Sequence, residues 1–312
     1  MASLTGHVVV LDSLFEDLSL EREIAEQRGW TIERWSGDLS QLSKAHVALH
    51  VRTTIDEPML AALSRCRVVG RFGTGLDTVD VEMAQLRGIA LVNVRDYCVP
   101  EMTAHTLGLI LALTRSIGEW TSEDSSAGAW QADVLATRIS SSETVGVVGL
   151  GSVGAAVSAA ARALGSTVLA FSSKDSAAVA ALGAQKVELP ELFARSNVVT
   201  LHLPLLPATW HFIGAQELAR VRPGTMLVNT ARIGILEEQA VADALRSGQL
   251  GGVGLDARIG EDSPISRVRD THRVIVTPHV GWFSPRSASV LRREAVNRAI
   301  EAFQRLSPEV RA

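Results

Sequence analysis

The run GLGSVG, residues 149–154, places Gly149, Gly151 and Gly154 in G-x-G-x-x-G spacing, directly after an apolar run and at the head of an alanine-rich stretch. Glycines in that setting are suited to holding a pyrophosphate. Gly149 permits the tight turn, Gly151 lets the backbone approach phosphate oxygens, and Gly154 allows helix and strand to pack closely. Ser152 and Val153 then open a helix whose first amides offer unpaired N–H groups and a partial positive charge. The next apolar run, VLAFSSKD (168–175), reads as a strand whose end normally carries a carboxylate for a ribose 2′-hydroxyl. Here Ser172 stands at that position, followed by Ser173 and Lys174. Two hydroxyls and an ammonium donate to phosphate oxygens, where an acid would repel them. The reading is NADP(H), with NAD(H) bound without the ribose carboxylate as the alternative. Asp175 lies past the strand end and reads as the start of the next helix.

Three later segments also end in chemically capable side chains. VNTARIG (228–234) closes a strand-like run with Arg232. GLDARIGEDSP (254–264) closes another with Asp256 and then Glu261, and VTPHVGW (276–282) closes a third with His279. The C-terminal edges of strands in a doubly wound sheet line the cofactor crevice, so an arginine, a glutamate and a histidine are expected to converge there. No HExxH, GxSxG or Cys/His cluster competes, which leaves metal and acyl-enzyme chemistry without support.

These residues need a scaffold of parallel strands. Apolar strands are expected at residues 7–12, 46–51, 67–70 and 89–93, with helices between them at 21–28 and 57–63. A second series runs through 144–151, 166–171, 196–203, 224–230, 251–257 and 273–279. It has helices at 152–164, 236–247 and about 286–305. Continuous Val/Ile/Leu strands alternating with helices predict α/β domains with parallel sheets covered on both faces. The polar, small-residue segment 118–134 reads as a surface connection. No short-period repeat is present.

Length and composition agree with this picture. The 312 residues suit about two domains, and 46% apolar with 21% charged residues is an ordinary globular balance. A formal net charge of −4 argues against a nucleic-acid surface. The start has no basic n-region and no run long enough for a signal core or membrane span, so no membrane partner is expected. Cys66 and Cys98 form no CxxC pair, which suits a reducing cytoplasm and excludes a disulfide framework.

Taken in order, GTGLDTVD (73–80), GLGSVG, TLHLPLLPAT (200–209), VNTARIG, GLDARIGE and TPHVGW resemble the D-isomer-specific 2-hydroxyacid dehydrogenase family over essentially the whole chain. The resemblance implies a catalytic set of Arg232, Glu261 and His279. In it Arg232 forks onto the substrate carboxylate and carbonyl oxygen and polarises the carbonyl. His279 exchanges a proton with the alkoxide, and Glu261, paired to the imidazole, holds its tautomer. It places Asp256 near the nicotinamide amide and adds Thr74, Thr103, His202, Leu203, Pro204, Thr209, Thr230 and Ala231 to the cofactor contacts. The chain departs from the family at Ile233-Gly234, where a glycine pair is common, and at Glu261-Asp262, where Glu-Pro is common.

The resemblance further implies a flavodoxin-like substrate domain (1–98 and 286–312) and a Rossmann NAD(P)-binding domain (99–285), with a cleft between them, assembled as a homodimer through the cofactor domains. Arg52, Arg71, Gly73 and Trp282 are the expected substrate contacts. Arg71 and Trp282 match the branch that contains the C-terminal-binding-protein co-repressor. A nucleotide-gated interaction scaffold is therefore the alternative to a cytoplasmic 2-oxoacid reductase.

Overall fold

Short runs of valine, leucine and isoleucine between polar turns set the strands, because each such run can be buried on both faces. The computed structural model describes residues 5–118, 138, 142–269 and 273–306. Nearly all of the connection expected at 118–134 lies outside the described residues. The chain divides into two compact units, Met1–Tyr97 with Ser284–Ala312, and Cys98–Phe283.

The first unit holds β1 (His7–Val10), β2 (Thr31–Arg34), β3 (Val47–His50), β4 (Val68–Arg71) and β5 (Ala90–Asn93) in one parallel sheet ordered β2-β1-β3-β4-β5. Central β3 is buried at every residue. Edge strand β2, sequence TIER, buries Ile32 alone, which is why no apolar run announces it. Between the strands lie α1 (Ser19–Gln27), α2 (Leu39–Leu42), α3 (Glu57–Ala62) and α4 (Val81–Leu86). Aspartates start the last two: Asp56 accepts from the Met59 amide and Asp80 from that of Met83, each satisfying an orphan donor of the first turn.

The second unit holds the remaining parallel sheet. Its strands are β6 (Thr144–Val148), β7 (Thr167–Phe171), β8 (Gln185–Lys186), β9 (Val198–Leu201), β10 (Thr225–Asn229), β11 (Leu250–Asp256) and β12 (Val274–Thr277). They are ordered β12-β11-β10-β9-β6-β7-β8, so the winding reverses beside β6. Helices α5 (Val99–Thr114), α6 (Ser152–Ala163), α7 (Ser176–Ala181), α8 (Leu189–Arg195), α9 (Ala215–Leu218) and α10 (Glu238–Arg246) belong to the same unit. One core gathers Leu192, Phe193, Leu201, Ile213 and Val241. A second gathers Leu109, Leu113, Val147, Val157 and Val228, so helices cover both faces of the sheet. Two parallel-sheet α/β domains, as the alternation of runs predicts, are what the chain forms.

The last helix, α11 (Pro285–Leu306), returns the chain to the first unit. Its inner face buries Leu291, Ala295, Val296, Ala299 and Ile300. Arg292 on the same helix pairs with fully buried Glu21 of α1 in a two-armed bridge, Nε–Oε1 2.7 Å and Nη2–Oε2 2.5 Å. Among the described residues no helix is long and apolar enough to cross a membrane.

Candidate active site

The glycine turn joins β6 to α6 beside the point where the sheet reverses. Gly149 has φ +95°, and a Cβ there would sit 2.8 Å from the His202 carbonyl oxygen. A Cβ on Gly154 would collide with the Gly149 carbonyl oxygen. Both glycines are thus required by the protein itself. Gly151 is different: its φ is −75°, and a Cβ would meet nothing within 4 Å. No internal contact demands glycine at 151, whereas a pyrophosphate lying against the head of α6 would. The residues present therefore fit a dinucleotide.

A cavity of about 480 Å³ opens over this turn. Gly149, Leu150 and Gly151 form its floor, His202, Leu203 and Pro204 one wall, and Phe171, Ser172, Ser173 and Lys174 the other. Burial pushes the His202 imidazole down to about 4, and its Nε2 lies 3.0 Å from the Thr200 hydroxyl. His202 is thus a neutral wall residue at ordinary pH. Asp175 turns away to cap α7, accepting from the Ala178 amide at 2.7 Å. The end of β7 therefore presents hydroxyls and an ammonium with no carboxylate aimed at the cavity. Lys186 on β8, outside this lining, steadies the strand end by donating to the Lys174 carbonyl at 2.6 Å.

Strands β10, β11 and β12 are adjacent and parallel, so the segments that follow them leave one edge of the sheet. Arg232, half-buried, begins a short 3-10 turn after β10, and its Nη1 donates to the Ala231 carbonyl at 2.9 Å. The Asn229 side chain clasps this turn, accepting from the Ala231 amide and donating to the Arg232 carbonyl. His279 is exposed and left-handed, with φ +65°. For a residue with a Cβ that conformation costs roughly 1–2 kcal/mol. Its Nδ1 lies 3.3 Å from the Asp256 carbonyl oxygen, which as an acceptor places the proton of the neutral ring on Nδ1.

Glu261 is exposed after β11. The turn carries Asp262 where the family commonly has proline, and its polar contacts lead elsewhere, Asp262 facing Arg267 at 3.9 Å. Asp256, expected beside the nicotinamide, is only 2% exposed. Its carboxylate accepts from the Thr277 hydroxyl at 2.7 Å and from the Val280 and Gly281 amides at 2.8 Å each. It anchors the turn that carries His279.

In the first unit, Arg71 is also committed internally. Its Nε donates to the Val51 carbonyl at 3.2 Å, and its Nη1 reaches the Gly75 carbonyl and Asp77. These acceptors hold two nitrogens of the guanidinium against its own loop, and the side chain is 12% exposed. Gly73, with φ +152°, donates its amide to the Arg71 carbonyl. Arg52 is exposed, and its amide is fixed by Asp12, which also accepts from Val51 and Thr53. Burial raises the Asp12 carboxyl, but these bonds outweigh it and leave the group below the usual carboxylate range.

Of the remaining expected contacts, three threonine hydroxyls serve nearby backbone: Thr74 donates to Val94, Thr103 to Val99 and Thr209 to Pro204. Thr230 is buried against the Thr106 hydroxyl at 2.9 Å. Trp282 is half-buried and edge-on to Phe283. Sequence reasoning missed Asn229, although an asparagine closing an apolar strand is a usable signal.

A family model described as D-isomer specific 2-hydroxyacid dehydrogenase, NAD binding domain, matches residues 107–281. D-3-phosphoglycerate dehydrogenase of Mycobacterium leprae is 39% identical over 239 residues, covering 75% of this chain and 45% of that protein. The chain thus spans less than half the length of that relative. Glycerate dehydrogenase of Methylorubrum extorquens is 31% identical over 312 residues, covering 96% of this chain and 95% of the relative. The crystal structure of D-lactate dehydrogenase from Aquifex aeolicus, complexed with NAD and lactic acid, shares the fold at a TM-score of 0.84 and 22% identity, covering 96% and 95% of the two chains.

Proposed function

This chain belongs to the D-isomer-specific 2-hydroxyacid dehydrogenase family, and from that premise we propose that it interconverts a 2-oxo acid and a D-2-hydroxy acid with a nicotinamide dinucleotide. One observation carries the reading. Arg232 and His279 leave the same edge of one parallel sheet as the glycine turn, whose Gly151 has open space where a side chain would be.

A nicotinamide cofactor, when bound, supplies or takes the hydride. The amides of Ser152 and Val153 would hold its pyrophosphate at the head of α6. His202, Leu203, Pro204, Thr209, Thr230, Ala231 and Thr103 would complete its wall. Arg232 presents two donors to the carboxylate and carbonyl oxygen of the substrate, and its fixed charge polarises that carbonyl. His279 gives a proton from Nε2 to the forming alkoxide and takes it back in the oxidative direction. Its Nδ1 bond to the Asp256 carbonyl keeps Nε2 facing away from the turn. Trp282 packs on the apolar part of the substrate, and in the first unit Arg71 shapes the Gly73 loop.

The preferred cofactor is NADPH. Ser172, Ser173 and Lys174 line the cavity, and the nearest carboxylate, Asp175, is spent on a helix cap. The protein works as a homodimer, for which light scattering at micromolar concentration is the check, a monomer being the contrary result.

The test is a panel of 2-oxo acids assayed with NADPH and NADH. Turnover of at least one acid to the D-hydroxy product, with higher kcat/KM for NADPH, is the expected result. Cofactor binding without turnover across the panel would favour the interaction-scaffold reading. Equal or higher kcat/KM with NADH would overturn the cofactor assignment.

A further inference from the structure

The turn that carries His279 is held from below by a histidine far away in the sequence. His105 lies in the second turn of α5, and its Nε2 is 2.8 Å from the Thr277 hydroxyl and 3.7 Å from Asp256 Oδ1. Hydrogen bookkeeping gives this contact a direction. The single hydroxyl proton of Thr277 faces two acceptors, Asp256 Oδ1 at 2.7 Å and the Leu255 carbonyl at 3.3 Å, and the nearer carboxylate takes it. The Thr277 oxygen must then accept from His105, which requires a proton on His105 Nε2. The relay runs His105 Nε2–H to Thr277 O–H to Asp256.

Its far end is the turn itself. Asp256 receives the Val280 and Gly281 amides, the two that follow left-handed His279. Packing supports the same link. A Cβ on Gly281 would come 2.8 Å from Asp256 Oδ2 and 3.0 Å from the His105 ring, so the imidazole sits directly against the turn. The helix that carries the ring is itself anchored, because Leu109 and Leu113 of α5 are buried in the core of this unit.

We propose that His105 is a positioning residue for the reaction: through Thr277 it aims the Asp256 carboxylate, and through that carboxylate it holds the turn on which His279 works. This rests on the functional reading above for its kinetic consequence, though not for its structural one.

The experiment compares His105→Leu, His105→Gln and Thr277→Val with the unaltered full chain, using steady-state kinetics on an accepted 2-oxo acid and hydrogen exchange at Val280 and Gly281. Displacing a catalytic group by about 1 Å costs roughly a hundredfold, so His105→Leu should lower kcat by about ten- to a hundredfold. Its KM for the nicotinamide should stay unchanged, and the two amides should exchange faster. His105→Gln, which keeps a donor, should recover most of the kcat and the protection. Thr277→Val should repeat the leucine phenotype while leaving the histidine in place, and it decides the matter if the leucine variant does not fold. Amide protection and kcat at the unaltered level in His105→Leu or Thr277→Val would overturn the proposal. If the unaltered protein turned over no 2-oxo acid, the functional reading would fail, while the exchange measurement would still decide the role of His105.

Discussion

Replacing Gly151 and Gly154 separately with alanine should divide binding from folding within a single turn. At 151 the backbone is in a region open to any residue, with φ −75° and ψ −166°, and a methyl group meets nothing within 4 Å. Alanine is a poorer helix N-cap than glycine by under about 1 kcal/mol, and restricting the unfolded chain returns roughly 0.4–1 kcal/mol. The two nearly cancel, so Gly151→Ala should keep its Tm within about 2 °C of the original. The methyl would occupy the space assigned to the pyrophosphate. Losing one charge-assisted hydrogen bond costs about 1.5–3 kcal/mol, which raises Kd for the reduced nicotinamide by roughly ten- to a hundredfold. At 154 the methyl strikes the Gly149 carbonyl oxygen and comes 3.4 Å from the His202 Cβ. Overpacking of that kind costs about 1–3 kcal/mol, a fall of roughly 3–10 °C. Calorimetric melting and titration with NADPH measure both quantities. A Gly151→Ala protein that binds cofactor normally, or that melts as low as Gly154→Ala, would refute the reasoning.

Cofactor choice should follow the end of β7: Ser172→Asp places a carboxylate in the cavity wall and should move the kcat/KM ratio toward NADH, and an unchanged ratio would remove Ser172 from the argument. Arg292→Ala leaves Glu21 charged and fully buried without its partner, so denaturant unfolding should show a loss of about 3–5 kcal/mol; a loss under about 1 kcal/mol would contradict the role given to this bridge. Burial, helped by nearby Arg71, pushes the His50 imidazole down to about 4, and its Nε2 has no hydrogen-bond partner among the described residues. Between pH 6.5 and about 4 the unfolded chain therefore binds more protons than the folded one, and stability falls with falling pH by about 3 kcal/mol from this group. His50→Gln should flatten that part of the stability profile, and an unaltered slope would show that His50 does not titrate as described.

The parts of this molecule legible in its sequence are those set by local pattern. Strands such as VALH and TMLVN are mostly apolar and buried along their whole length because both faces are covered. Strands β2 and β8 escaped because they lie at sheet edges, where TIER and QK carry mostly polar side chains. The glycine turn was readable because its spacing encodes a backbone shape, and the Ser172–Lys174 wall because it follows at a set distance. Side-chain commitments were less readable. Arg71 turns to carbonyls supplied by Val51 and Gly75. Nothing local tells that Asp256 will meet the amides of Val280 and Gly281, or that His105 will meet Thr277 across 172 residues. Those pairings exist only once α5, β11 and β12 have packed.

The central claim is that His279 moves the proton of a dehydrogenase reaction, and it is tested most directly by comparing His279→Ala with the unaltered protein. Removing a general acid costs about 10²–10⁴-fold in rate. The account predicts a loss of kcat on that scale for the 2-oxo acid, with an unchanged Kd for NADPH measured on the same sample. A His279→Ala protein that reduces the acid at the original rate would contradict it.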